Sequence, residues 1–180
     1  MITDLDGAAA ASALAEAGGN GDALPVDVAD GEAIRAAVAL AAERRGGIDA
    51  LFNVAGVNLP KNVEEMEEHE WYRIIDINLT SVYRCSKHAI PHMRRRGGGA
   101  IVNVASVAGI LAENRCSAYT ATKGGVVMLT RNMAMDFAVD GIRVNAVCPG
   151  GTLTPRIESY MAREPQNRRE MEEMCPLKRM

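Results

Sequence analysis

The chain has 180 residues, 48% of them hydrophobic, enough for one domain with a sizeable core and short of two. Its 20 basic and 23 acidic side chains leave a net charge of -3, so there is no overall basic field and no expectation of a nucleic-acid partner. No apolar run reaches the length of a membrane span. The Ala-rich stretch 8–17 follows Asp4 and Asp6, where a secretory leader would carry positive charge, so the expected location is cytoplasmic.

In chain order, short β-branched runs alternate with longer helical patterns. "ALPVDV" at 23–28 reads as a strand, and "DGEAIRAAVALAAERRGG" as a helix opening on an Asp30 cap. "IDALFNVAG" at 48–56 is the next strand, followed by a long helix over about 68–93 that ends in the solvated, glycine-stopped run "MRRRGGG". "GAIVNVAS" at 99–106, a helix over about 117–138 and the strand "GIRVNAVCPG" at 141–150 complete the pattern. The strands are apolar almost throughout, which predicts burial on both faces of a parallel sheet. The βαβα order predicts a doubly wound α/β fold with residues 1–180 as one domain.

Four cysteines, Cys85, Cys116, Cys148 and Cys175, are widely spaced with no C-x-x-C pair and read as reduced thiols. His88 and His92 have the i, i+4 spacing of metal ligands, but Pro91 lies between them and no third ligand follows in "HAIPHM"; no metal site is expected.

In an open parallel sheet, ligands bind beyond the carboxyl ends of the strands. Those ends carry Asp27, then Asn53 to Gly56, then Ser106, then Pro149 and Gly150, several of them small residues that let backbone approach a ligand. Tyr119 and Lys123, four apart in "SAYTATKGG", share a helix face. A free phenol titrates near pH ~10, and an adjacent ammonium favours its ionised form, which would fit it for proton transfer. Ser106 lies at the end of the strand that precedes this helix, so a hydroxyl and a phenol are expected to converge on one crevice.

These residues resemble the short-chain dehydrogenase/reductases. The resemblance rests on Ser-x12-Tyr-x3-Lys, present as Ser106, Tyr119 and Lys123, and on the N-[NV]-A-G turn, present as Asn53, Val54, Ala55 and Gly56. It also rests on P-G-x-x-x-T, present as Pro149, Gly150 and Thr154, and on Asn78 in "DINLT". It implies a Rossmann-like hydride-transfer enzyme acting on a secondary alcohol or ketone. Tyr119 would be the acid/base, Ser106 would hold the substrate oxygen, Lys123 would serve both the tyrosine and the nicotinamide ribose, and Asn78 would support a proton relay. The remaining cofactor contacts implied are Asp4 at the adenosine ribose, Asp27 and Val28 at the adenine, Asn53, Ala55 and Gly56, and Pro149, Gly150, Thr152 and Thr154. Asp6 is the weaker alternative for the ribose. A carboxylate at Asp4 accepts from ribose hydroxyls and repels a 2′-phosphate, so NAD is expected over NADP. A homodimer or homotetramer is also implied.

The sequence departs from the family in lacking its first strand, T-G-x-x-x-G-x-G loop and helix, and its last helix and edge strand. The expectation is therefore truncation at both ends by roughly seventy residues. Without the glycine loop the pyrophosphate loses several charged hydrogen bonds of roughly 1.5 to 3 kcal/mol each, so weak NAD binding and no measurable turnover are expected of the isolated chain. An inactive nucleotide-binding or interaction module is the alternative. A nucleotide-sugar epimerase shares Tyr and Lys, but its longer carboxyl-terminal domain has no counterpart here.

Overall fold

The computed structural model describes residues 1–163 and 165–173, so Cys175 lies outside the described residues. Strand β1 (Ile2–Asp4) leads into helix α1 (Gly7–Glu16), which Asp6 caps by accepting the Ala8 N–H at 2.8 Å. Strand β2 (Ala23–Pro25) is shorter than the run 23–28 suggests. Asp27 Oδ1 accepts the Ala29 N–H at 2.8 Å, a local turn that ends the strand and leaves Val28 outside it. Helix α2 (Gly31–Arg45) is capped by Asp30, whose carboxylate takes the N–H groups of Glu32 and Ala33 at 2.8 and 3.2 Å. It stops at Gly46, in the left-handed region at φ 69°.

After strand β3 (Ala50–Asn53) the helix expected at 68–93 is present in extent but not continuous. Helix α3 (Glu68–Ile75) passes through a π-turn, Asp76–Thr80, before α4 (Ser81–Arg95), which accommodates Pro91. Strand β4 (Gly99–Val104), a 3-10 turn (Val107–Gly109), helix α5 (Ser117–Asp136) and strand β5 (Ile142–Val147) follow, then α6 (Pro155–Met161) and α7 (Pro165–Glu173).

All strand pairs are parallel, in two sheets of order β1-β2 and β3-β4-β5. Register rows such as Leu51, Ile101 and Val144 place like residues side by side on one face. That face is the core: Ile101, Ile142 and Val144 pack with Ala89, Ile90 and Met93 of α4 and Met133 of α5. The expectation of burial on both faces is corrected here. In β5, Ile142 and Val144 are buried while Arg143, Asn145 and Val147 are exposed, and on β3 Phe52 is 65% exposed. The apolar residues of the second face have no covering element among the described residues. The two sheets are linked through α2 and α4, where Arg84 donates to the Ala29 carbonyl at 2.8 Å and its guanidinium lies against Gly31. The architecture is α/β and Rossmann-like.

Each strand of the smaller sheet has three residues, and a two-stranded sheet of that size is marginal alone. Amide exchange should therefore be slowest in β4, which is paired on both sides, and much faster in β1 and β2. Equal protection of the two sheets would contradict this picture.

Candidate active site

The ammonium of Lys123 is the centre of the arrangement. The residue is 4% exposed, on a helix packed against the larger sheet, and its Nζ donates to the Val104 carbonyl at 2.8 Å. The same Nζ stands 5.6 Å from the centroid of the Tyr119 ring, one helical turn earlier. Burial disfavours the charged form and holds the lysine below the usual ammonium range. Gly56, beyond β3, completes the enclosure: a Cβ there would lie 3.3 Å from Lys123 Nζ and 3.5 Å from Asn78 Oδ1. The absence of a side chain lets the Gly56 backbone approach the ammonium and the Asn78 amide closely.

Asn78 sits in the π-turn, buried to 1% exposure. Its Oδ1 accepts the Val57 N–H at 2.8 Å, while its Nδ2 donates to the Val57 carbonyl at 2.8 Å and to Thr122 Oγ1 at 3.2 Å. Thr122 in turn donates to the Tyr119 carbonyl at 2.8 Å. The loop after β3, the π-turn and the first turn of α5 are thus joined through one amide.

Ser106 has extended backbone and caps the 3-10 turn, its Oγ accepting the Ala108 N–H at 3.1 Å. Because Oγ accepts there, its own proton is left to donate elsewhere. The next residue, Val107, donates to the Pro149 carbonyl at 2.9 Å, which fixes the end of β5 beside the end of β4. The 3-10 turn is seated directly on α5. A Cβ on Gly109 would fall 2.6 Å from the Lys123 carbonyl oxygen, so only glycine permits this approach. Tyr119, Lys123, Asn78 and Gly56 therefore adjoin one another, and Ser106 caps the turn that packs on the same helix.

The other candidates lie at strand ends. Asp4 closes β1 and accepts the Asp6 N–H at 2.9 Å; since Asp6 is the cap of α1, Asp4 is not needed to start that helix. Asp27 and Val28 form the turn after β2, and Ala55 is exposed beside Gly56. Thr152 donates to the Gly150 carbonyl at 3.2 Å, and Thr154 caps α6 by accepting the Ile157 N–H at 3.3 Å. Asn53 is directed inward: its Nδ2 donates to Asn103 Oδ1 at 2.8 Å and approaches Ser86 Oγ at 3.5 Å. Its side chain anchors the turn from within the core, and the exposed part of the turn is Ala55 and Gly56.

Sequence reasoning missed three features. Thr122, fully buried, was passed over as a spacer between Tyr119 and Lys123. The buried chain Asn53, Asn103 and Thr130, in which Asn103 Nδ2 donates to Thr130 Oγ1 at 2.8 Å, had a visible signal: an asparagine inside each of two apolar strands. Asn53 and Asn103 are register partners. The third is the ion pair between Arg115 and Glu65, with nitrogen to oxygen distances of 2.7 Å.

A sequence model of short chain dehydrogenases matches residues 2–165. The chain is 43% identical over 157 residues to a 3beta-hydroxysteroid dehydrogenase of Mediterraneibacter gnavus, covering 87% of this chain and 56% of that protein. It is 38% identical over 144 residues to a D-beta-hydroxybutyrate dehydrogenase of Rhizobium meliloti, covering 80% and 56%. It spans a little over half the length of these curated relatives. Its fold is similar to that of ElxO with NADP bound, at a TM-score of 0.91 and 26% identity over 99% of this chain and 73% of that one.

The lowered ammonium value of Lys123 has a stability consequence with a definite sign. The unfolded lysine keeps its proton up to about its ordinary 10.5, whereas the folded one releases it earlier, so its contribution to stability rises with pH through that window. Urea unfolding of the chain and of Lys123→Met, compared at neutral pH and near pH 10, should show the wild type gaining on the variant as pH rises. A pH-independent difference would mean that burial does not disfavour the ammonium. The comparison also cancels the opposing effect of Cys85, whose buried thiol is pushed up to about 11.

Proposed function

The chain belongs to the short-chain dehydrogenase family, and on that premise we propose that its site serves the NAD(P)-dependent interconversion of a secondary alcohol and a ketone, with Tyr119 as acid/base. One observation carries the reading: a buried ammonium, Lys123, held between the end of β4, the Tyr119 ring and Gly56. Two of its three N–H donors have no hydrogen-bond partner among the described residues, which suits a ribose hydroxyl entering beside Gly56.

A nicotinamide dinucleotide, when bound, supplies or accepts the hydride. Tyr119 Oη, as phenolate, takes the alcohol's proton in oxidation and, as phenol, gives one to the carbonyl oxygen in reduction; the Lys123 ammonium stabilises the negative charge left on Oη. Ser106 donates its free hydroxyl proton to the substrate oxygen. Asn78 serves by fixing the backbone of the π-turn and of Val57, because both N–H donors of its amide are engaged there. Asp4, Asp27, Val28, Ala55, Gly56, Pro149, Gly150, Thr152 and Thr154 would line the dinucleotide, with Asn53 bracing the Ala55–Gly56 turn from below. ElxO binds NADP. For this chain the carboxylate of Asp4 at the end of β1 supports NAD as the preferred cofactor.

Tyr119→Phe, assayed in a polypeptide of the relatives' length that carries this chain, should lose nearly all turnover while cofactor affinity stays within a few-fold; retained turnover removes Tyr119 from the acid/base role. Asp4→Ser should relax the preference for NAD, and unchanged kcat/KM ratios for the two cofactors would exclude Asp4 as the ribose ligand. The second reading is a nucleotide-binding or interaction module without turnover. An NADH titration by cofactor fluorescence separates weak from competent binding.

Residues 1–180 are taken as one partial domain. Among the described residues no helix is long and apolar enough to cross a membrane, and the free thiols Cys85, Cys116 and Cys148 support a cytoplasmic location. Association into a homodimer or homotetramer is supported by the outer face of α5. Val126 and Met133 are buried in the chain's own core, and Leu129 packs against it, so the apolar stripe that faces the sheet is theirs. The outward stripe is Ala121, Met128 and Met135, the two methionines 60% and 79% exposed, with Tyr72 and Tyr83 also exposed on α3 and α4. Sedimentation at micromolar concentration should detect association, and Met128→Glu should weaken it; a clean monomer would count against the interface.

A further inference from the structure

The mouth of the site is framed by two loops, 54–67 after β3 and 110–116 after the 3-10 turn. They are clasped together. Arg115, in the left-handed region at φ 54°, directs two guanidinium nitrogens to the two carboxylate oxygens of Glu65, each at 2.7 Å. Glu65 is itself set by Asn62, which accepts the Glu65 N–H at 2.9 Å and donates its own N–H to the carboxylate at 3.4 Å. Lys61 places its Nζ 2.6 and 2.7 Å from the Glu70 carboxylate, while its carbonyl accepts the Ser117 N–H at 3.4 Å.

The two cations of these loops are thus each matched to an internal carboxylate. The other ionisable side chain in 110–116 besides the thiol is Glu113, which lies against Cys116 and is negative. Next to the turn the large side chains that the loop presents outward are apolar, with Asn114 and the clasped Arg115 exposed beyond them. Ile110 and Leu111, directly beyond the turn seated on Lys123, are 66% and 63% exposed.

We propose that the substrate is an uncharged alicyclic or aliphatic secondary alcohol or ketone, received on an apolar rim of Ile110 and Leu111, and that substrates bearing a carboxylate are disfavoured. The proposal rests on the alcohol/ketone reading of the site given above. A carboxylate seated on this rim would lose hydration with no unpaired cation of the two loops to receive it, and Glu113 would repel it.

Cyclohexanone and 4-oxocyclohexanecarboxylate test the class, since they share the ring and the reacting carbonyl and differ by one carboxylate. Their binding to the full chain with NADH, measured by ligand-observed NMR, requires no turnover. The neutral ketone should bind at least about tenfold more tightly. Equal or tighter binding of the carboxylate, or binding of neither, would overturn the proposal. Leu111→Lys, at an exposed position where folding is insensitive, should narrow the ratio by about threefold, and an unchanged ratio would overturn the placement of the rim. NADH fluorescence in the same samples reads the underlying function separately. Ketone preference without any NADH binding would support the apolar rim and favour the module without turnover, whereas NADH binding with carboxylate preference would support the oxidoreductase reading and overturn the rim.

Discussion

An ammonium ion removed from water is costly unless its protons find acceptors, and the burial of Lys123 is the constraint to which the rest of the site conforms. The side chain must reach a carbonyl, and the one it reaches belongs to Val104, the last residue of β4. That requirement draws the first turns of α5 against the strand end, which brings the 3-10 turn onto the helix backbone and makes glycine obligatory at position 109. It also requires a neighbour small enough to leave the remaining N–H groups accessible, the position Gly56 occupies. Two glycines in separate loops therefore answer to one lysine.

The π-turn at Asp76–Thr80 serves the same cluster from the opposite side. An α-helix running unbroken from 68 to 95 would keep every amide in its i to i-4 ladder. The wider turn instead accompanies an asparagine buried to 1% exposure whose three polar contacts close on Val57 and Thr122. The hydroxyl of Thr122 has one proton, given to the Tyr119 carbonyl, so it can only accept from the Asn78 amide. Each hydrogen of this small network has one available direction, which orients the amide and steadies the turn that carries Tyr119.

Strand ends and the residues on them were legible in the sequence because identity alone marks them: a glycine, serine or aspartate closing an apolar run is conspicuous. The π-turn was not, since nothing in "EHEWYRIIDINLTSVYR" breaks helical periodicity and the cause lies in a tertiary contact with Val57. The outer face of α5 was legible only in part, for a different reason. In "GGVVMLTRNMAMDFA" the pairs Val126 and Met133, and Met128 and Met135, both repeat at seven residues, so periodicity offers two apolar stripes and cannot say which meets the helix's own sheet. The open face of the larger sheet did have a signal. In "IRVNAV" Arg143 and Asn145 alternate with buried residues, and that alternation is what one-sided burial produces.

The clasp between Arg115 and Glu65 shows why electrostatics at such a site is better judged by geometry than by strength. Both side chains are substantially exposed, and an exposed ion pair contributes little to stability even with good bidentate geometry. The carboxyl of Glu65 is nevertheless held below its usual range, first by its hydrogen bond to Arg115, so the pair persists wherever the carboxylate is ionised. Its effect is on shape and on sign. It holds Arg115 in a backbone conformation that few residues adopt, keeps the loop over the end of β4 in register with the loop after β3, and neutralises the cation nearest the mouth. Lys123 is matched differently: its ammonium is buried and donates to a neutral carbonyl, that of Val104, with no carboxylate partner among the described residues. Of the cations around this cluster, the exposed one is therefore paired by charge and the buried one by a dipole.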